Sequence, residues 1–203
     1  VIESINLGDD LEEKLSSIDL PRLLSDKVIL DDENGISSRL TSLLELTEVQ
    51  KAAFHAGLNR ALAVGDSALN AGTAGPEVVS LVLQVLENDT LFNAGRGAVL
   101  TYEGKASMDA SIMDGATGEA GAVAGISCIK NPITAALAVL RYSDHVLLSG
   151  SGADDFAQLH GGTCVDPNYF LIDSHLKTLR KIRGDQGALD SLIDHKMGTV
   201  GCI

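Results

Sequence analysis

Leu86-Glu87-Asn88-Asp89-Thr90-Leu91-Phe92-Asn93-Ala94-Gly95-Arg96-Gly97-Ala98-Val99-Leu100-Thr101, followed after a short gap by Met108-Asp109-Ala110-Ser111-Ile112-Met113-Asp114-Gly115, carries the change of structural rhythm in this chain. Residues 76–87 read as a buried helix opened by Pro76, because proline is tolerated in a first helical turn. Val78, Val79, Val82 and Val85 pull the same segment towards strand. Residues 86–96, taken by composition, read as a helix C-terminus and a turn. Gly95-Arg96-Gly97 is a lone GxG, and no GxGxxG opens a helix after a strand, so a glycine-rich turn is the expectation rather than a phosphate site. Residues 97–101 then read as a strand, Glu103-Gly104 as a hairpin turn, and 108–113 as a second strand broken at Asp114-Gly115.

The pattern extends in both directions. Upstream, Thr47 can cap a helix running to Val64, with Val49, Ala52, Ala53, Ala56, Leu62 and Ala63 at helical spacing. Gly65-Asp66 is expected to end it, with a further helical turn at 66–69 and a break at 71–75. Downstream, 121–129 reads as a third strand of small residues. Asn131-Pro132 opens a helix to Tyr142, 145–148 is a short strand, 153–159 a short helix and 173–183 a more polar one. Residues 184–196 read as an exposed loop with a short helix, and 199–203 as the opening of a strand. Residues 1–46 are acidic with a broken hydrophobic pattern: a short helix at 11–18, another from Pro21, a short strand at 27–30, and no recognisable chemistry. Helix, helix, strands, helix predicts a layered α/β domain whose antiparallel strands are joined by hairpins.

Composition narrows the function. The 203 residues predict one domain with its own core. A net charge of −13 excludes nucleic acid or an anionic membrane surface as the main partner, since both require a basic face. Aromatics are 3% with no Trp, which removes a base-stacking reader. The apolar runs are shorter than the roughly 20 residues of a membrane helix. No basic region precedes an apolar stretch at the start, so no signal peptide is expected, and without an initiator Met the chain reads as processed or trimmed. Cys128, Cys164 and Cys202 show no CxxC spacing, and an odd count predicts no disulfide framework. Cys128 and Cys202 are expected as small core residues in a reducing, cytoplasmic setting. His55, His145, His160, His175 and His195 form no HxxxH or HExxH, so no zinc site is expected. No GxSxG is present. Asp109 and Asp114 lie close in sequence, but a glycosidase pair cannot be told from ordinary strand and turn aspartates.

The quoted stretch, with Ala120-Gly121-Ala122-Val123-Ala124-Gly125, Ile129-Lys130-Asn131-Pro132-Ile133, Gly152-Ala153-Asp154-Asp155-Phe156-Ala157 and Met197-Gly198-Thr199-Val200-Gly201, resembles the plant-type L-asparaginase/isoaspartyl peptidase family of N-terminal-nucleophile hydrolases. The resemblance covers roughly residues 49 to 203. It implies an αββα sandwich, here the half formed by the family's α-part. It also implies hydrolysis of the side-chain amide of L-asparagine or of a β-aspartyl peptide bond. The resemblance places the nucleophile at Thr199, freed by autocatalytic cleavage after Gly198, with Asn93 helping to hold the site near the scissile bond. Gly198 in place of Asp separates this chain from the glycosylasparaginases. A structural Na+ or K+ is implied on main-chain carbonyls at Leu86, Glu87, Asp89, Phe92, Ala94 and Arg96, since carbonyl oxygens suit a hard cation.

The chemistry suits the residues. A threonine hydroxyl is a weak nucleophile until a base takes its proton, and a free α-amine with a pKa near ~8 can do so at neutral pH. Two departures from the family pattern stand beside this. Residues 1–46 lack the His-Gly-Gly-Ala-Gly that ends the family's first strand, and His160-Gly161-Gly162 lies far downstream of it. The groups that clamp substrate and form the oxyanion hole belong to the family's β-part, of which only four residues follow Thr199. The chain alone is therefore expected to be inactive, with its own β-part, a second chain or a homo-oligomer as partner. The alternative is an inactive homologue that serves as a binding or structural protein.

Overall fold

The computed structural model describes residues 48–184 and 200–202, all within the compact unit Thr47–Ile203. The readings made for 1–46, and those for 185–199, lie outside the described residues. Five α-helices and one three-stranded sheet appear among them: α1 (Glu48–Asn70), α2 (Gly75–Glu87), β1 (Met108–Met113), β2 (Ala120–Ile126), α3 (Pro132–Tyr142), β3 (Leu147–Ser149), α4 (Gly150–Leu159) and α5 (Asp173–Gly184). The fold is mixed α/β, in keeping with part of the expected sandwich.

α1 does not stop at Gly65 but runs on to Asn70. The reason is packing. Gly57, Ala61, Gly65 and Ala68 form the buried stripe of α1, and a Cβ at Gly65 would meet Val82 of α2 at 2.8 Å. The glycine is there so that two helices approach closely, and close packing outweighs its weak helix propensity. The apolar face read from sequence is largely not the buried one, since Val49 is 79% and Leu62 54% exposed. α2 keeps its sequence boundaries: Pro76 lies in its first turn, and Val78, Val82, Leu83 and Leu86 are buried. Helical spacing therefore outweighed the strand preference of its valines.

The segment 97–101 is not a strand. Gly95–Gly97 forms a 3₁₀ turn, and only Leu100 pairs, opposite Ala106, around the hairpin closed by the Gly104 N–H on the Thr101 carbonyl at 2.8 Å. β1 pairs antiparallel with β2, with a register shift between Met108 and Ala110. β2 pairs with β3 in parallel, Ala122 opposite Leu147. This corrects the all-antiparallel expectation: the connection from β2 to β3 is α3, and a helical crossover delivers the next strand parallel. Met108, Ile112, Gly121 and Val123 are buried on the face that carries α3, together with Ala135, Ala136 and Val139. The opposite face presents Asp109, Ser111 and Met113 of β1 and Leu147 of β3, all exposed.

α4 begins at Gly150 and ends at Leu159, followed by His160 at its C-cap, whose ring stacks on Tyr142 at 4.5 Å. His160-Gly161-Gly162 is thus a helix terminus. Asp154 of α4 is 5% exposed and accepts hydrogen bonds from the Ser127 N–H (3.0 Å), the Ser127 hydroxyl (3.2 Å) and the Cys128 N–H (3.2 Å). A buried carboxylate with three donors is well compensated, and it fixes the chain where it leaves β2.

The cysteine expectation is corrected. Cys128 and Cys164 form a disulfide with their Cα atoms 4.8 Å apart, within the range a disulfide spans. Antiparallel pairing of Ile129 with Cys164 brings the two sulfurs together, which no sequence spacing could show. Cys202 is free and half-buried, and burial raises its thiol pKa. No helix among the described residues is long and apolar enough to cross a membrane.

Candidate active site

The C-terminus of α2 leads into the glycine-rich loop, and α1 holds that loop from outside. Phe92 packs edge-on against Phe54, ring centroids 5.5 Å apart, and its ring lies 2.9 Å from where a Cβ of Gly57 would stand. Arg60 pairs with Asp89 at 2.7 Å, and the other Asp89 carboxylate oxygen accepts the Leu91 N–H at 3.0 Å. Gly95 has φ +53°, and a Cβ there would come within 2.5 Å of the Glu87 carbonyl oxygen. Only glycine allows both the left-handed conformation and that approach.

Inside this loop lies a cavity of about 710 Å³. Its walls are Glu87 from α2, Asn93 to Gly95 from the loop, residues of β1 and β2, the first turn of α3, and Val200. Asn93 Oδ1 accepts the Val99 N–H at 2.9 Å, which closes the loop and orients the side chain along the cavity wall. Gly198 and Thr199 lie outside the described residues. Val200, next in sequence to Thr199, lines the same cavity as Asn93.

The six positions assigned to the cation form this loop. Leu86 is buried, Glu87 ends α2, Asp89 follows the helix end, and Phe92, Ala94 and Arg96 make the turn. Their carbonyls are partly engaged: Leu86 accepts from Asp89 (3.1 Å) and from the Asn88 N–H, Asp89 from Phe92 (3.4 Å), Phe92 from Ala94 (2.9 Å) and Ala94 from Gly97 (3.0 Å). The Glu87 carbonyl crowds Gly95, and those of Thr90 and Phe92 crowd Gly97, so three oxygens press on positions that only glycine can occupy. The Asp89, Phe92 and Ala94 carbonyls each keep a second lone pair. Main-chain carbonyl oxygens are donors that suit a hard cation and offer nothing to a soft metal.

Sequence reasoning missed two features. Ser107, Asp109 and Ser111 all contribute to the cavity wall. Their i, i+2 spacing places them on one face of a strand, a signal that was available in the sequence. Asp109 Oδ1 accepts the Gly125 N–H at 2.7 Å, whereas Asp114 accepts the Ala116 N–H at 2.9 Å within its turn. These different duties separate the two aspartates. The second feature is the Glu87 side chain, which is 3% exposed. One carboxylate oxygen accepts the Ile133 N–H at 2.9 Å, at the start of α3, and the other has no hydrogen-bond partner. Burial pushes the Glu87 carboxyl up to about 7, against the opposing pull of the Ile133 N–H and the nearby Asn131 side chain.

That shift makes a prediction. The unfolded chain releases this proton near 4.5 and the folded chain near 7, so between them the folded state holds more protons. Stability from this group is complete below the lower value and is lost as pH rises through 7, by up to about 3 kcal/mol. Glu87→Gln, which keeps the acceptor for Ile133 without the charge, is expected to be the more stable protein at pH 8 and to lose that advantage by pH 4.5. Urea unfolding of both proteins in choline buffer across this range is the check. Parallel pH profiles would refute the assignment.

The asparaginase family model matches residues 34–203, reaching further upstream than the residues that carry the resemblance in sequence. The chain is 42% identical over 145 residues to the probable isoaspartyl peptidase/L-asparaginase 2 of Arabidopsis thaliana, covering 71% of this chain and 44% of that protein. It is 36% identical over 171 residues to the isoaspartyl peptidase of Escherichia coli, covering 80% and 52%. It is 51% identical over 105 residues to the plant-type L-asparaginase of Pyrococcus horikoshii, covering 52% and 34%. A layered α/β domain with a cavity of mixed polar and apolar lining at a glycine-rich loop is the class that the fold and site define. The chain belongs to the family of plant-type asparaginases and isoaspartyl peptidases, which are N-terminal-nucleophile hydrolases. It spans about half the length of the curated relatives it matches, or less.

Proposed function

We propose that this chain is the part of a threonine hydrolase that carries the processing site and one wall of the active site, acting on the side-chain amide of L-asparagine or on β-aspartyl peptides. The observation that carries this reading is the shared cavity of Asn93 and Val200, next to Thr199. In the proposed reaction the Thr199 hydroxyl attacks the side-chain carbonyl while its own α-amine takes the proton. A β-aspartyl ester forms, ammonia or a peptide amine leaves, and water releases aspartate. The partner is the second half of the relatives' length, joined to the chain or supplied by another chain. The exposed sheet face of Ser111, Met113 and Leu147 gives it a surface to dock on.

The experiment compares the 203-residue chain with one extended through the second half of a relative. The extended protein is expected to hydrolyse L-asparagine or a β-aspartyl dipeptide. The 203-residue chain is expected to show no turnover, because acyl transfer is slow where no donors stabilise the oxyanion of its tetrahedral intermediate. Turnover by the short chain alone would overturn the division of labour. No turnover by the folded, extended protein would leave the inactive-homologue reading.

The carbonyl loop is proposed to take Na+ or K+. A ligand that binds only the folded chain raises stability by about 2.7 kcal/mol at a hundredfold excess over its Kd. The melting temperature is expected to be higher in sodium or potassium chloride than in choline chloride at equal ionic strength. Equal melting in all three would remove the ion.

A further inference from the structure

The bridge between Cys128 and Cys164 sits at the surface. Cys164 is exposed and Cys128 half-buried, so the two sulfurs differ in access. The Gln158 side-chain amide is directed at Cys128 Sγ from 3.8 Å and also donates to the Asp154 carbonyl at 3.3 Å. The amide N–H can therefore stabilise negative charge developing on Cys128 sulfur and gives none to Cys164. The Asp154 carboxylate, the charge nearest this sulfur in the hydrogen-bond network, is already engaged by Ser127 and the Cys128 N–H.

The backbone around the bridge has its own hydrogen bonds. The Val165 N–H donates to the Cys128 carbonyl and the Lys130 N–H to the Thr163 carbonyl, both at 2.8 Å. These bonds and the Asp154 contacts link the two segments beside the covalent bridge. Breaking the bridge is therefore expected to free two thiols while the chain stays folded.

We propose that the Cys128–Cys164 pair is a reversible thiol-exchange site for low-molecular-weight thiols such as glutathione, with Cys164 as the attacked sulfur and Cys128 as the leaving group. A thiolate attacks Cys164 Sγ along the disulfide axis. The bond to Cys128 breaks, its electron pair goes to Cys128 Sγ, and a mixed disulfide remains on Cys164. A second thiolate attacks the small-molecule sulfur, releasing the oxidised small disulfide and the Cys164 thiolate. Two thiols lose two electrons in total, and the protein disulfide gains them. Oxidised glutathione reverses both steps. The adduct on Cys164 stands beside the connector from β2 to α3, where Ile129 pairs with Cys164, and the first turn of α3 walls the cavity.

The test uses the 203-residue chain under native conditions. After treatment with oxidised glutathione, denaturation and N-ethylmaleimide labelling are expected to add one label, on Cys202. After reduced glutathione, three reactive or glutathionylated cysteines are expected, with any trapped adduct on Cys164. The reduced chain is expected to keep a cooperative melt, lower by roughly 5–15 °C for a loop of this length. Gln158→Leu is expected to slow the first exchange step roughly threefold or more while melting with the oxidised parent. Three labels after oxidised glutathione would show that the sulfurs do not pair. One label after reduced glutathione would show a closed structural bridge. An adduct confined to Cys128, loss of the cooperative melt on reduction, or an unchanged rate in Gln158→Leu would each overturn the proposal.

Discussion

A precursor extended through the second half of a relative is expected to cut itself before Thr199, and Thr199→Ala to remain a single chain. The effect is all or none, because alanine has no hydroxyl to attack the Gly198 carbonyl. Attack converts that amide to an ester, water opens the ester, and the new chain begins with Thr199 carrying the free amine that later serves as base. Glycine at 198 allows the backbone conformation needed for such close internal attack. Thr199→Ser and Thr199→Cys keep a nucleophile but lose the methyl that limits side-chain rotamers, so slower cutting is expected from both. Asn93→Ala is expected to slow cutting without abolishing it, since Asn93 closes its loop on Val99 and supplies no nucleophile. Intact mass over time reads all five proteins. An uncut parent precursor with a confirmed fold would exclude Thr199 as an autocatalytic nucleophile.

The second large effect belongs to the core. A Cβ on Gly121 of β2 would run into the backbone of α3, at the Ala136 carbonyl oxygen and the Leu140 nitrogen. Backbone atoms cannot rotate aside as a side chain can, so the helix must lift off the sheet and lose contacts around Ile133, Ala136 and Val139, all nearly fully buried. Gly121→Val is expected to cost at least about 3 kcal/mol and to lower the melting temperature by roughly 10 °C. Gly121→Ala is expected to cost nearly as much, because the first carbon already collides. Gly115→Ala is the control, since a Cβ there meets nothing within 4 Å. A Gly121→Ala protein that melts with Gly115→Ala would show that α3 does not rest on β2 as described.

Much of the fold was legible because its signals are local. Pro76 and Pro132 each open a helix where the sequence places them, since proline's fixed backbone angle acts within one turn. β1 occupies 108–113 as read, because alternation and the Asp114-Gly115 break are short-range properties. The loop 86–96, read by composition as a helix end and a turn, is that in the structure. The family was legible for a different reason: motifs held over many residues in fixed order identify it even where single residues are ambiguous.

What the sequence by itself determined is the placement of most helices and strands and the glycine-rich loop. Tertiary structure alone decided what depends on residues far apart in the chain. Gly65 reads as a helix end until Val82 is seen beside it. The parallel pairing of β2 and β3 depends on the path of α3, and the cysteine bridge spans a separation of 36 residues. Glu87 reads as an ordinary acidic residue until burial and the Ile133 N–H show a carboxyl held against solvent. Backbone preferences act over a few residues, whereas desolvation and close packing depend on which distant atoms arrive, and that is settled only when the chain folds.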